Sequence, residues 1–286
     1  MGGESSLGLR WEASGRPPDL PVPVPPARMA LVRGGRPLKR WRYIAAFSHA
    51  LMLCAGSAQI GPLRSSWWAL WDRRDRRLIE RTRIGRAGAA RFGPGGRLAV
   101  SDRRVTIDLD VEEGAAVESL NAHGEQYVWT RKQAARPARG RIAIDGRGVE
   151  FDGLAIVDDT AGYHARTTEW WWSAGVGQAP DGSPVGWNLV TGVNDGPEAS
   201  ERSVWSAAGA REVGPVRFAA DLGAVAFAEG DELQFSEEAV RERRDGLLLV
   251  VRSDYRQPFG TYKGSLPGVG RVSGGLGVME HHIAHW

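Results

Sequence analysis

Residues 105–111 read Val105-Thr106-Ile107-Asp108-Leu109-Asp110-Val111, with apolar and polar side chains alternating at every position. Side chains on a strand point to opposite faces in turn, so this stretch is a strand with one buried and one wet face. Arg141-Ile142-Ala143-Ile144-Asp145 repeats the alternation and runs into a Gly146-Arg147-Gly148 turn. Working outward, 67–71, 72–75 and 78–84 read as strand, turn and strand, and Phe92-Gly93-Pro94-Gly95-Gly96 is a turn cluster. Further strands are expected over 167–176, 185–192, 201–207, 216–221, 231–235, 259–264 and 275–285. The apolar run Leu247-Leu248-Leu249-Val250-Val251 suits a strand buried on both faces. One helix is expected, over 236–244, with Ser236 as cap and Glu237 and Glu238 in its first turn. About eight or nine strands per half, spaced roughly 10–15 residues apart, point to antiparallel barrels or sandwiches rather than βαβ units.

The 286 residues are 42% apolar and 25% charged, ordinary values for a globular chain. Gly (38) and Trp (12) are abundant, which suits tight turns and either a ligand wall or two large cores. Seven prolines between Pro17 and Pro37 block helix and interior strand, so residues 1–38 are expected to form an extended arm. The two halves are expected to meet within 150–166, giving a first domain over 39–160 and a second over 161–286. Residues 1–150 carry 26 basic and 15 acidic side chains (+11), and the remainder 11 and 19 (−8), which favours docking of one half on the other. The run Arg73, Arg74, Arg76, Arg77, Arg81, Arg83 is interleaved with Asp72, Asp75 and Glu80, which argues against nucleic acid as a partner. Cys54 stands alone, so a cysteine zinc site and an internal disulfide are excluded and a reducing compartment is expected. The N-terminus has no apolar segment of secretory type, and 44–60 is too short and too polar to span a bilayer; a cytoplasmic protein with no membrane span is expected.

No phosphate loop, nucleophile elbow or metal motif is present. The densest chemistry lies in Asp158-Asp159-Thr160-Ala161-Gly162-Tyr163-His164-Ala165-Arg166-Thr167-Thr168-Glu169-Trp170-Trp171-Trp172. On a strand, Trp170 and Trp172 share a face with Thr168, and Glu169 and Trp171 take the other. A carboxylic acid beside such aromatic walls has its pKa raised by desolvation and could protonate an alkene or enol. Alternatively Asp158 and Asp159 only form a turn, with Arg166 pairing with one of them. In the tail, Met279-Glu280-His281-His282-Ile283-Ala284-His285-Trp286, strand geometry separates Glu280 and His282 from His281 and His285. No pair of these histidines converges on a tetrahedral ion, so neither metal nor cofactor is expected. Glu280 then points inward as an acid or as the buried partner of an Arg, with His282 beside it. His49 and His123 read as core or surface histidines.

As a set, Lys39-Arg40-Trp41-Arg42-Tyr43, Asp159-Thr160-Ala161-Gly162-Tyr163, Thr168-Glu169-Trp170-Trp171-Trp172, Trp187-Asn188-Leu189, Asn194-Asp195, Ser200-Glu201-Arg202, Arg252–Gly260 and Gly277–His282 resemble the bacterial family of unknown function 2804 over about residues 38–286. That family implies no catalytic residue. More remotely, the Trp block and the closing Gly-x-Met-Glu resemble calycin-type double barrels: carotenoid 1,2-hydratases, AttH-like proteins and lipocalin-like cyclising enzymes. Many of the hydratases end in Arg-Trp where this chain ends in His285-Trp286. The resemblance implies an all-β fold of two lipocalin-like antiparallel barrels packed together, with an apolar pocket.

Beside a purely structural or partner-binding role, which would need an exposed apolar patch, two functions stay open. One is binding of a small apolar molecule (lipid-, terpenoid- or polyketide-like) in a Trp-lined barrel pocket, with Tyr163, Arg166, Trp170, Trp172, Trp187, Asn188 and Tyr255 as wall and polar contacts. The other is metal-independent, acid-assisted hydration, isomerisation or cyclisation of such a molecule, with Asp158, Asp159 or Glu280 as acid and His164 or His282 as proton relay.

Overall fold

The computed structural model describes residues 7–85, 88–247 and 251–285, with the backbone alone at 245–247 and 251. The arm holds β1 (Leu9–Glu12), β2 (Val32–Arg33) and β3 (Arg36–Pro37). The first half follows with β4 (Lys39–Phe47), β5 (Leu51–Ile60), β6 (Leu63–Asp72), β7 (Arg77–Ile84), β8 (Arg91–Phe92), β9 (Arg97–Ser101), β10 (Val105–Val111), β11 (Val117–His123), β12 (Gln126–Ile144) and β13 (Arg147–Gly162). The second contains β14 (Thr167–Gln178), β15 (Pro184–Thr191), β16 (Ser203–Ser206), β17 (Gly209–Glu212), β18 (Val216–Phe218), β19 (Ala224–Phe227), β20 (Glu232–Leu247), β21 (Val251–Leu266) and β22 (Gly270–His285). Among the described residues there is no α-helix, and none long and apolar enough to cross a membrane.

Each half is one curled antiparallel sheet, so the fold is all-β and built of two barrel-like units. The first runs β7-β6-β5-β4-β13-β12-β10-β9-β8, with β11 joining β12 to the arm strand β1; the second runs β17-β16-β15-β14-β22-β21-β20-β19-β18. The alternation in β10 sets which face is inside: Val105, Ile107, Leu109 and Val111 are buried, and Thr106, Asp108 and Asp110 are exposed. Those residues join Ile44, Leu53, Trp68, Leu70, Ile142 and Val157 in the core of the first unit. Trp187, Leu189, Val225, Leu233, Phe235 and Tyr262 fill the second. Both barrel interiors are therefore occupied by their own side chains.

A third cluster belongs to neither interior. Tyr43, Ala45, Phe47, Met52, Cys54, Ala69 and Ile156 of the first sheet pack on Trp172, Ala174, Val176, Val190, Phe259, Leu276 and Val278 of the second. Strand β4 is thus buried on both faces, with Ile44 and Ala46 turned to its own core and Tyr43, Ala45 and Phe47 turned to the other sheet. Charge follows the same seam. Arg73 pairs with Glu238 at 2.7 Å, Lys132 with Glu201 at 3.2 Å and Arg10 with Glu212 at 3.6 Å, in each case a base of residues 1–150 with an acid beyond them.

The helix expected over 236–244 is instead the middle of β20. Its cap and acidic first turn are local signals, whereas the strand gains a ladder with β21 from Leu233↔Gly264 to Leu247↔Val251. A bulge between Glu237 and Ala239 breaks the register of this ladder. Before it, Leu233 and Phe235 face their own core; beyond it, residues of the same parity, Ala239 and Arg241, face the other half. Most of the apolar run expected as a doubly buried strand, Leu248 to Val250, lies outside the described residues, as does Trp286.

The proline-rich segment lies along β11 and β12. Trp11, Val24, Met29 and Leu38 pack on Leu120, Tyr127, Trp129 and Tyr163. The hydroxyls of Tyr127 and Tyr163 donate to the carbonyls of Pro23 and Ala30. The arm also reaches the second half, where Arg10 donates to the Ser200 carbonyl at 2.7 Å and to Ser203 Oγ at 3.0 Å.

Trp187 is fully buried in the second core, so Trp187→Ala is expected to cost about 3–5 kcal/mol. Urea unfolding followed by circular dichroism checks this; a loss under about 1 kcal/mol would mean that the second interior is not packed as described.

Candidate functional site

A cavity of about 250 Å³ lies in the seam between the sheets, not inside either barrel. This corrects the expectation of a pocket within a barrel, and the reason is steric, since the two interiors are already full.

Strand register lays out its floor in rows. Ile156, Ala45, Cys54 and Ala69 form one row across β13, β4, β5 and β6, and there the sheets touch. In the next row are Asp158, Tyr43, Gly56, Trp67 and Thr82, and then come Thr160, Trp41, Ala58, Ser65 and Ile84. Those two rows line the cavity at every position but Gly56. Gly56 is bare for a reason: a Cβ there would lie 2.2 Å from the Trp67 ring, which occupies that space. The roof comes from the second sheet: Trp170 and Trp172 of β14, Val190 of β15, Arg241 and Arg243 of β20, Ser253, Tyr255 and Gln257 of β21, and Glu280 and His282 of β22. Trp170 and Trp172 share a face because strand side chains alternate.

Three polar groups are set into these aromatic walls. The first centres on Glu280. Its Oε1 accepts from Trp170 Nε1 at 2.9 Å and its Oε2 from Gln257 Nε2 at 2.5 Å. His282 packs at a tilt against Trp170, with ring centres 4.2 Å apart, and its Nδ1 is 3.7 Å from Glu280 Oε1. Its Nε2 lies 2.8 Å from Ser253 Oγ. Tyr43, from the other sheet, donates to Gln257 Oε1 at 3.3 Å. Burial pushes the hydroxyls of Tyr43 and Tyr255 well above the ordinary tyrosine range.

The second group is ionic. Lys132 Nζ is 2.7 Å from Asp158 Oδ2 and 3.2 Å from Glu201 Oε1, and all three residues are buried. Burial alone would lower the Lys132 ammonium, but the two carboxylates outweigh it and hold the pKa above the usual value. Burial, reinforced by Asp158, raises the Glu201 carboxyl despite Lys132. Asn194 Nδ2 donates to Glu201 Oε2 at 3.1 Å and Thr160 to Asp158 Oδ1 at 3.1 Å. In the third group, Arg241 donates to Glu80 at 2.6 Å across the seam and lies over the Tyr255 ring at 5.5 Å.

His164 sits in the 163–166 connection between the sheets, 2% exposed, with its ring 4.9 Å from that of Trp41. Burial first, then His123 and Lys39, push its pKa well below 6.5, so it is a neutral imidazole.

Of the residues singled out from the sequence, Asp158, His164, Trp170, Trp172, Tyr255, Glu280 and His282 line the cavity together. Five do not. Asp159 turns to the opposite face of β13, near Arg42 and Arg131 at 3.7 and 3.8 Å. Tyr163 is taken up by the arm. Arg166 is exposed, and no ion pair of Arg166 with Asp158 or Asp159 forms. Trp187 belongs to the second core, donating to Ser173 Oγ. Asn188 stands behind Trp172, accepting from its Nε1 at 2.8 Å and donating to the Glu201 carbonyl at 3.0 Å. The sequence reading missed Lys132, Glu201, Gln257 and Arg241 as site residues. Lys132 carries a signal in hindsight, being one of three lysines among 37 basic residues.

A family model described as "domain of unknown function (DUF2804)" matches residues 96–286. No curated protein matches the chain. A crystal structure from Nitrosomonas europaea, provisionally named AttH, is 15% identical, covers 92% of this chain and 98% of its own, and superposes with a TM-score of 0.57. Kievitone hydratase from Nectria haematococca is 9% identical over 86% of this chain and 88% of its own, with a TM-score of 0.49. The first of these establishes a shared double-barrel fold and nothing about chemistry.

Two outcomes follow from the buried groups. Lys132→Met leaves Asp158 and Glu201 buried without their cation, and is expected to cost about 3–5 kcal/mol in urea unfolding; a loss below about 1 kcal/mol would mean that the triad is solvated. The unfolded chain binds a proton at His164 below about pH 6.5 that the folded chain does not, so stability falls as pH drops through that value. His123, lowered by burial and Arg36, acts in the same direction. Urea midpoints at pH 7.5 and 5.5 are expected to differ less in His164→Phe than in the parent; an unchanged difference would place the His164 proton elsewhere.

Proposed function

The chain belongs to the DUF2804 family, and we propose that it binds one small, largely apolar molecule in the cavity between its two halves. The observation that carries this reading is the wall itself. Trp41, Tyr43, Trp67, Trp170 and Trp172 come from opposite sheets onto one shared space, and the polar groups among them are mostly tied to one another. A space of about 250 Å³ equals about eight waters at their liquid volume, room for a two-ring molecule. Apolar contact supplies the affinity, and the few convergent polar groups supply orientation. A cytoplasmic setting and the absence of a nucleic-acid partner belong to the same proposal; they rest on the lone, buried Cys54 and on basic residues already paired with acids.

Ser253, His282 and Glu280 support a second reading, catalysis by proton transfer. If His282 carries its proton on Nδ1, toward Glu280, then Nε2 is left to accept from the Ser253 hydroxyl. That line of groups ends in the cavity and suits acid–base hydration, isomerisation or cyclisation of the bound molecule.

Native mass spectrometry beside an organic extract of the same sample tests the binding reading. An apolar metabolite, one per chain and lost on denaturation, is expected in the parent and absent in Ala58→Trp, where an indole fills the floor. Equal capture by both proteins would move the site elsewhere, and a parent that carries nothing and takes up no apolar probe would end the reading. With that metabolite in hand, Glu280→Gln separates the two functions. Binding without catalysis leaves nothing to lose, whereas proton transfer through Glu280 predicts turnover reduced by about 10²–10⁴-fold.

A further inference from the structure

The cavity wall contains polar atoms that the protein satisfies poorly: His164 is near the Gly162 backbone and Asn194 near His123, without good geometry. Neither ring nitrogen of His164 meets a partner in hydrogen-bonding geometry, and the same holds for Asn194 Oδ1. Both residues line the cavity, 2% and 7% exposed. Both also flank His123: its ring centre is 5.3 Å from that of His164, and the Asn194 carboxamide helps hold its proton. Buried polar atoms left unpaired are rare in native proteins, because each forfeits its hydration without return.

The surroundings fix what could satisfy them. The Asn194 Nδ2 is committed to Glu201 Oε2, which leaves the Oδ1, turned toward His123, as the acceptor of the carboxamide. The residue is kept in place at φ 48° by a backbone bond from Glu201 N to its carbonyl at 3.1 Å. Lys39 Nζ donates to the His164 carbonyl at 3.0 Å and so fixes the connection that carries the ring. A neutral imidazole offers one donor and one acceptor. Charges of both signs already stand near, Lys39 and Lys132 with Asp158 and Glu201, so a ligand of either charge meets its own sign as well as the opposite one, and a neutral group fits better. A hydroxyl is the smallest neutral group that carries both functions, accepting from an imidazole N–H or donating to a bare ring nitrogen, with Asn194 Oδ1 as a further acceptor nearby.

We propose that His164, with Asn194 beside it, is the subsite for a hydroxyl group, which makes the ligand class a neutral alcohol or phenol on an apolar frame. The inference rests on the cavity being the binding site, and its test separates the two. Naphthalene, naphthol and naphthoate are titrated against the full chain at pH 7.5 by tryptophan fluorescence. Naphthol is expected to bind about tenfold more tightly than naphthalene, and naphthoate more weakly than either. His164→Phe is expected to abolish the difference between naphthol and naphthalene, and His164→Gln, which keeps a donor and an acceptor, to retain most of it. Equal binding of naphthol and naphthalene by the parent overturns the subsite without need of any variant, as does a naphthol preference that survives in a folded His164→Phe. If naphthalene and naphthol both fail to bind the parent, the cavity reading itself falls.

Discussion

Strand β4 and its neighbours must be buried on both faces, because each sheet wraps its own core on one side and meets the other sheet on the other. The contact works where side chains are small: Ala45, Cys54 and Ala69 on one sheet lie in the same dry cluster as Ala174 on the other. Two and four residues further along the same strands, rings take their place at Tyr43, Trp41 and Trp67, faced by Trp170 and Trp172. The cavity opens where the small residues end. Site and interface are therefore two ends of one surface, and nothing that loosens the docking of the halves can leave the site intact.

The polar groups obey the same constraint. A charge taken out of water is tolerated only when paired, and in this seam several of the pairs run across it. Lys132 with Glu201, Arg241 with Glu80 and Arg73 with Glu238 each join one half to the other. The first and last of these draw on the excess of bases in residues 1–150 and of acids after them, while Arg241 with Glu80 runs the other way. The arm adds a further tie, since Arg10 holds the backbone at Ser200, next to the residue that shares Lys132. The loop bearing Asn194 and Glu201 is thus fixed by contacts from both halves.

Much of this was legible in the sequence, for local reasons. Strand β10 is written in its alternation, and the faces of Trp170 and Trp172, or of Glu280 and His282, follow from a period of two. The helix expected over 236–244 failed because capping is a signal of a few tenths to about one kcal/mol, and a full ladder on β21 outweighs it. Register across sheets was not legible. Lys132 meets Glu201, and Tyr43 meets Gln257, at separations that no local pattern encodes. Tyr163 and Asp159 were misplaced for the same reason: the arm claims one, and the far face of β13 the other. Nor could a Trp-rich composition say that Trp68 and Trp187 are core while Trp67 and Trp172 are wall.

The central claim is that the ligand lies between the barrels and not within one. Heavy-atom quenching of tryptophan fluorescence by bromonaphthol tests it most directly, because such quenching requires contact with the indole. Replacing Trp170 by Phe is expected to remove a large part of the quenchable emission, and replacing Trp68 or Trp187 by Phe to leave the quenched component unchanged. Quenching that disappears with Trp68 or Trp187 and persists without Trp170 would put the ligand inside a barrel and contradict the account.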